Sequence, residues 1–319
     1  MSANPPELDQ ALRIFSAGQR PQAVTMIEGL VARGMPQAML LLGHMKWGGH
    51  IAQDPVGARR LYERAGSAGS HDGAVAATNL LASGIAGERN WLAALERLKS
   101  EAASDPARKA ALDLLGAMEL DASGNPQSLP DGDVLSDSPQ VTLYRGVFSP
   151  AECAYVLKIA EPGYQPSMVY NAQRQLVRDP IRSSDGSVLH WLIEDPAIHA
   201  LNRRLASLAG LPPENGEAAQ VLRYNPGQEY KPHHDFVRAA ENQRTMTALV
   251  WLNDGYDGGE TAFLRTGLKV KGRKGDAVVF RNTQPDSSLD PMSEHAGMPV
   301  KRGTKLLYNR WIREARWQP

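Results

Sequence analysis

Three side chains of this 319-residue chain have the types and spacing to share one metal ion: His233, Asp235 and His295. Two imidazoles and a carboxylate are the ligand set of a non-haem Fe(II) oxygenase site. Side chains at i and i+2 of a strand point to one face, so His233 and Asp235 can aim at one ion while His234 points away. His295 has to arrive from a distant strand. Three protein ligands on one side leave the opposite face of the ion open to a cosubstrate and O2. A lone His-x-Asp is weak, because short motifs recur without function. The later His295, and Lys305 ten residues beyond it, give the pattern its content. His44, His50, His71, His190 and His199 have no comparable partner spacing and read as structural or solvent-facing residues.

The elements that must hold these groups divide the chain by pattern. Residues 8–120 are rich in Ala and Leu, poor in β-branched residues and punctuated by Gly, which reads as helices. Residues 55–65 line up with 90–98 at Glu63-Arg64 and Glu96-Arg97, and an earlier copy aligns at Glu28. Partner helices start near Gln37, Gly73 and Pro106, at offsets of 33 to 36 residues. Such a period means helix pairs stacked as a solenoid, each pair unable to bury its apolar face alone. Residues 121–140 are turn-rich with little to bury and read as a linker. Strands are expected at 141–148, 219–224, 245–253, 261–264, 276–280 and 305–313. Ser149, Pro150 and Glu152 form a helix start with a capping box, opening a helix through Ile159. Many short strands after one or two helices point to a β-sandwich or jelly roll buttressed by helices.

Composition narrows the function classes. Lys+Arg and Asp+Glu both number 35, so the neutral chain exerts no long-range pull on nucleic acid or an anionic membrane. One cysteine, Cys153, excludes an internal disulfide and a two-cysteine zinc site, and reads as a small core residue. The N-terminus lacks the basic start and apolar core of a signal peptide, and runs such as 248–252 are too short to span a bilayer. A cytoplasmic protein without membrane contact is expected. Basic clusters at Lys269, Lys271, Arg273 and Lys274, and from Lys301 to Arg316, read first as solvated surface; a rim recruiting an acidic partner is the alternative.

Four motifs fall in order: Arg223-Tyr-x-x-Gly-Gln-x-Tyr-x-x-His-x-Asp235, Leu252-Asn-Asp-Gly-Tyr-Asp-Gly-Gly-Glu-Thr261, Gly275-Asp276, and His295-Ala-Gly-x-Pro-Val-x-x-Gly-x-Lys305. Together, over residues 141–313, they resemble the catalytic domain of the prolyl 4-hydroxylases, a family of Fe(II)/2-oxoglutarate dioxygenases. The helical stretch resembles tetratricopeptide-like repeats of the Sel-like subclass. The implied architecture is multidomain, α then α+β: an N-terminal α-solenoid of helix pairs (1–120), a linker (121–140), and a double-stranded β-helix, or jelly roll, buttressed by helices (141–319). The implied cofactors are Fe(II), 2-oxoglutarate and O2, with ascorbate as reductant. The implied reaction is hydroxylation of prolyl residues in a protein or peptide, coupled to decarboxylation of 2-oxoglutarate to succinate.

By this resemblance His233, Asp235 and His295 hold the iron, and Lys305 pairs with the far carboxylate of 2-oxoglutarate. The physical argument agrees, since a lysine buried in a barrel needs an anion. Tyr224 adds a hydroxyl to the same carboxylate, with Thr247 beside it. Tyr230, Arg244 and Trp311 match positions on the substrate side. Arg182 stands in the family's Arg-Thr-Ser strand, within a segment (177–184) whose flanking loops are a candidate lid. Strand alternation from Lys305 puts Leu307, Asn309, Trp311 and Arg313 on its face. Glu294, Leu306 and Arg313 depart from the frequent family residues Leu, Trp and His. They leave the ligand set whole and place the substrate, more than the activity, in question. An oxygenase acting on a small metabolite, free amino acid or nucleobase, and a non-catalytic repeat scaffold or sensor, remain open alternatives. The repeats are the expected surface for a protein partner or substrate.

Overall fold

A computed structural model describes residues 5–170 and 176–318. It contains two compact units, one of Met1–Leu112 with Trp191–Pro196, the other of Asp113–His190 with Ala197–Gln318. The first is helical: α1 (Pro6–Ser16), α2 (Arg20–Ala32), α3 (Pro36–Trp47), α4 (Pro55–Ser67), α5 (His71–Ser83), α6 (Trp91–Ala102) and α7 (Pro106–Gly116), which runs across its end. The starts follow local chemistry. Asp54, Ser70 and Asn90 accept hydrogen bonds from the backbone N–H three residues on, at Gly57, Gly73 and Ala93, satisfying donors a helix leaves open. Small residues let α4 and α5 touch backbone to backbone: a Cβ on Gly73 would sit 2.7 Å from the Ala65 Cβ. The interior holds Ile27, Leu30, Leu42 and Leu61.

In the second unit β1 (Gly132–Asp137) and β2 (Gln140–Tyr144) precede α8 (Pro150–Ala160), which carries the full Ser149–Glu152 capping box. Then come β3 (Gln165–Pro166), β4 (Met168–Tyr170), β5 (Leu176–Arg178), β6 (Asp185–Leu189) and α9 (Pro196–Ala209). The remaining strands are β7 (Ala219–Tyr224), β8 (Tyr230–His233), β9 (Arg244–Trp251), β10 (Asp257–Gly258), β11 (Thr261–Phe263), β12 (Lys269–Val270), β13 (Ala277–Arg281), β14 (His295–Gly297), β15 (Val300–Arg302) and β16 (Lys305–Arg313). The large sheet runs β1-β2-β13-β9-β16-β7-β6-β3 and a smaller one β12-β11-β14-β8, with two short pairs, β10-β15 and β4-β5. The order jumps between strands distant in sequence, as a jelly roll requires. Core residues come from both sheets: Leu222, Leu249, Trp251, Phe280 and Leu307 from the large one, Phe263 from the small one. Phe263 and Phe280 meet edge to face at 5.1 Å.

Part of the stretch that reads as a linker, Gly132–Asp137, is an edge strand. Val134 is 63% exposed and Leu135 38%, so no buried alternation marks it, and its pairing with β2 specifies it. The strand expected over 141–148 ends at Tyr144, and Gly146 N–H turns onto the Asp276 carboxylate. Strand β6 and helix α9 were not expected from pattern. Strand β5, paired with β4, leads into the candidate lid segment 177–184, and residues 171–175 lie outside the described residues. Among the described residues no helix is long and apolar enough to cross a membrane.

Candidate active site

Strands β8 and β14 pair antiparallel with His295 directly opposite His233. Asp235 lies just past the end of β8, two residues on from His233. All three side chains are buried, and their donor atoms lie within 4.8 Å of one another. His233 Nε2 and His295 Nε2 each stand 3.7 Å from a different oxygen of Asp235.

Backbone contacts set the tautomers. His233 Nδ1 is 2.8 Å from the Lys231 carbonyl and His295 Nδ1 2.9 Å from the Ser293 carbonyl. A carbonyl only accepts, so both Nδ1 atoms carry the proton, and both Nε2 lone pairs face Asp235. Ligating histidines are held this way by their other nitrogen. Two neutral imidazoles and one carboxylate at these separations fit a first-row divalent ion at about 2.1 Å from each donor.

The rings are packed as well as bonded. Tyr230 stacks on His233 with centroids 3.4 Å apart, and Phe280 meets His295 edge-on at 4.8 Å. Thr247 on β9 donates to Asp235 Oδ2 at 2.7 Å, and Asn282 Nδ2 donates to the Thr247 hydroxyl at 2.8 Å. Burial alone would raise the Asp235 carboxyl, but His295, His233 and the Thr247 hydroxyl outweigh it and hold it below the ordinary carboxylate range. Burial lowers His233, and the neighbouring His295 adds to the effect, which keeps a lone pair available.

At the start of β16, Lys305 pairs in register with Tyr224 at the end of β7. The ammonium is 2% exposed and donates to the Gly259 carbonyl at 2.7 Å. Among the described residues no carboxylate lies within 4.0 Å of it. Burial pushes Lys305 down to about 8, with Glu260 opposing. Gly259 adopts φ +68°, and a Cβ there would press to 3.1 Å from Lys305 Cδ, so the Gly-Gly turn is what lets the lysine lie down. Tyr224 is buried beside it, its phenol pushed up to about 12 by burial.

His233, Asp235, His295, Lys305, Tyr224, Tyr230 and Trp311 line one cavity. Thr247 stands behind Asp235 with its hydroxyl hydrogen already committed. Arg244 does not line the cavity: it grips Glu217 through two bonds of 2.6 and 2.9 Å and lies 3.7 Å over the Trp311 ring. Arg313 bonds the same carboxylate at 2.8 Å. Arg182 stacks 5.4 Å over Tyr230, also outside the lining. His234 turns to the Ser293 hydroxyl, and Glu294 pairs with Arg265 on the surface. Sequence reasoning did not find Leu222, Leu249 and Thr261 in the lining, nor Asn282, Gly259 and Glu217 as supports. Leu222 and Leu249 sit across from Leu307 and Asn309, a signal that exists once strand register is known. Glu217 gives none, since its partners lie 27 and 96 residues away.

Residues 219–313 match the family model described as the 2OG-Fe(II) oxygenase superfamily. Prolyl 4-hydroxylase 1 of Arabidopsis thaliana is 38% identical over 202 residues, covering 57% of this chain and 71% of that protein. Probable prolyl 4-hydroxylase 3 of the same plant is 34% identical over 205 residues, covering 56% and 71%. Among solved structures, the viral collagen prolyl hydroxylase of Paramecium Bursaria Chlorella virus-1 in its 2-oxoglutarate complex is 28% identical, covers 57% of this chain and 99% of its own, and has a TM-score of 0.43. A Sel1 repeat protein from Oxalobacter formigenes covers 34% of this chain and 85% of its own at 21% identity and TM-score 0.31. Fold, buried triad and sequence define a 2-oxoglutarate-dependent dioxygenase, an enzyme class that uses Fe(II), 2-oxoglutarate and O2. Within it, the chain belongs to the prolyl 4-hydroxylase family.

Proposed function

We propose that this enzyme hydroxylates prolyl residues of a protein or peptide while 2-oxoglutarate is converted to succinate and CO2. One observation carries the reading: a converging His-Asp-His donor set and a buried ammonium that has no carboxylate partner among the described residues share one cavity. In this reading His233, Asp235 and His295 hold Fe(II), and Lys305 with Tyr224 receives the far carboxylate of 2-oxoglutarate. The bound metal and cosubstrate supply the O2 chemistry that inserts one oxygen atom into a C–H bond. The chain's part is to orient and to exclude water. The backbone carbonyls fix both imidazole planes, Thr247 fixes Asp235, and the apolar wall of Leu222, Leu249 and Leu307 keeps the Lys305 charge dry, where it attracts an anion most strongly. Tyr230 and Trp311 form the side open to the target residue, with Arg182 and Arg244 positioning them by stacking. The helical unit recruits the protein that carries the target.

Purified protein with Fe(II), 2-oxoglutarate, ascorbate and a panel of prolyl peptides should form succinate and add one oxygen atom to a peptide, read by mass spectrometry. His233→Ala should lose both by at least about two orders of magnitude. Iron binding without 2-oxoglutarate consumption would sink the reading, and consumption stimulated by free amino acids but by no peptide would move the substrate class.

A further inference from the structure

The inward face of β16 carries two polar groups left unpaired among the described residues. The Trp311 indole Nε1 and the Asn309 amide oxygen are buried and have no hydrogen-bond partner there. The residues are 6% and 3% exposed, stand two apart on one strand face, and both line the active-site cavity. Across the strands Asn309 faces Leu249, which is apolar, and Gln220, whose Oε1 is taken by Arg182. Trp311 faces Thr247, whose hydroxyl hydrogen goes to Asp235. Leaving a buried polar group unsatisfied costs about 1–3 kcal/mol. Two such groups side by side on a cavity wall therefore point to a ligand group that completes them.

We infer that Asn309 and Trp311 form a donor pair for a backbone carbonyl oxygen of the target peptide, making Asn309 a specificity-determining residue. This rests on the prolyl hydroxylase reading. A prolyl residue has no N–H, so its backbone offers acceptors alone, and a wall that holds it must donate. Indole Nε1–H is a donor only, and a carboxamide with neither end bonded is free to turn its NH2 inward. The charged end of 2-oxoglutarate has its own anchor in Lys305, four residues earlier on the same face.

The test measures KM separately for a prolyl peptide and for 2-oxoglutarate in the full-length iron-loaded enzyme. Asn309→Leu and Trp311→Phe should each raise the peptide KM about tenfold, with the 2-oxoglutarate KM moving about twofold or less. The double variant should lose more than either single, because the oxygen then keeps no donor, and its loss should depart from the product of the two single losses because both donors serve one oxygen. Asn309→Asp, which offers an acceptor to an acceptor, should lose more than Asn309→Leu. A rise in the 2-oxoglutarate KM equal to that for peptide would give the pair to the cosubstrate and overturn the inference, as would an unchanged peptide KM. A parent enzyme that consumes 2-oxoglutarate yet leaves every prolyl peptide untouched would remove the prolyl reading and this inference with it.

Discussion

Arg108 in the helical unit and Lys305 in the sheet unit are buried cations of nearly equal exposure, 5% and 2%, with opposite surroundings. Arg108 donates through Nε to Glu101 at 2.6 Å and through Nη1 to Asn79 Oδ1 at 3.0 Å, and Nη2 has no partner among the described residues. Glu101 also takes the Thr78 hydroxyl, and Asn79 donates on to the Leu192 carbonyl. Lys305 has a carbonyl oxygen and no carboxylate within 4.0 Å among the described residues. A buried charge whose partners are supplied by the fold fixes the fold. A buried charge lacking its counter-ion is a cost to the fold, and the cavity at its side shows where an anion would relieve it. The same contrast holds inside the sheet unit, where Asp276 is engaged by Arg145, Gly146 and Arg273 while Asn309 and Trp311 line the cavity without a partner among the described residues.

The largest effect expected from this contrast is on the helical side. Arg108→Leu strands the Glu101 carboxylate in a buried site, and removing one partner of such a pair costs about 3–5 kcal/mol. Urea unfolding should show that loss, and adding Glu101→Leu should return a good part of it. If the double variant is as unstable as the single, Arg108 acts by packing and the comparison fails on its first side.

Lys305→Met probes the other side and should change ligand binding and stability in opposite directions. Burial pushes Lys305 from 10.5 to about 8, so between those values the unfolded chain holds a proton the native state lacks. Stability therefore rises with pH across that window, and below it the charged form weighs fully against the fold. Removing the ammonium should make the cosubstrate-free protein more stable at neutral pH, by up to about 3 kcal/mol. The KM for 2-oxoglutarate should rise about a hundredfold. In the parent, 2-oxoglutarate binding should weaken as pH climbs past about 8. A less stable Met variant with unchanged KM would place the counter-ion of Lys305 within the protein.

How much of this could be read beforehand depends on distance in sequence. The solenoid was legible because its caps and period are local: Asp54, Ser70 and Asn90 each act three residues away. The triad was legible because His233, at the end of β8, and Asp235, just past it, stand two residues apart in sequence, and the motif after His295 counts straight to Lys305. Strand β1 was not, since its exposed residues carry no pattern. The Arg108 network was hidden because its members meet through helix packing. Thr247 was expected beside the far carboxylate of 2-oxoglutarate, whereas the register of β9 delivers its hydroxyl to Asp235. Arg244 was expected on the substrate side and is clamped by Glu217, a residue that no spacing rule joins to it.

That hydroxyl allows a finer comparison between positioning and holding. Thr247→Val keeps the shape and removes the bond to Asp235 Oδ2. Loss of a contact behind a metal ligand weakens metal binding about 10- to 100-fold, and the low end is expected here because two imidazoles remain fixed by backbone. Fe(II) titration should show that loss, and Thr247→Ser should restore most of it. Equal affinity in all three proteins would mean Asp235 is held by packing alone.

The smallest effect compares one helix cap in each unit. Asp54→Ala removes the acceptor for Gly57 N–H at the start of α4, and Ser149→Ala removes that for Glu152 N–H at the start of α8. Each should cost about 1 kcal/mol near neutral pH. The Gly57 N–H and the Lys46 ammonium hold the Asp54 carboxyl below its ordinary value. Its contribution is therefore complete above about pH 4 and fades as pH falls through the lowered native value. The Ser149 hydroxyl does not ionise, so its removal follows no such titration. Unfolding curves at neutral and acid pH should then show the Asp54→Ala difference shrinking relative to that of Ser149→Ala. Parallel losses at both pH values would mean that the Asp54 cap acts as a neutral acceptor, with no share from its charge.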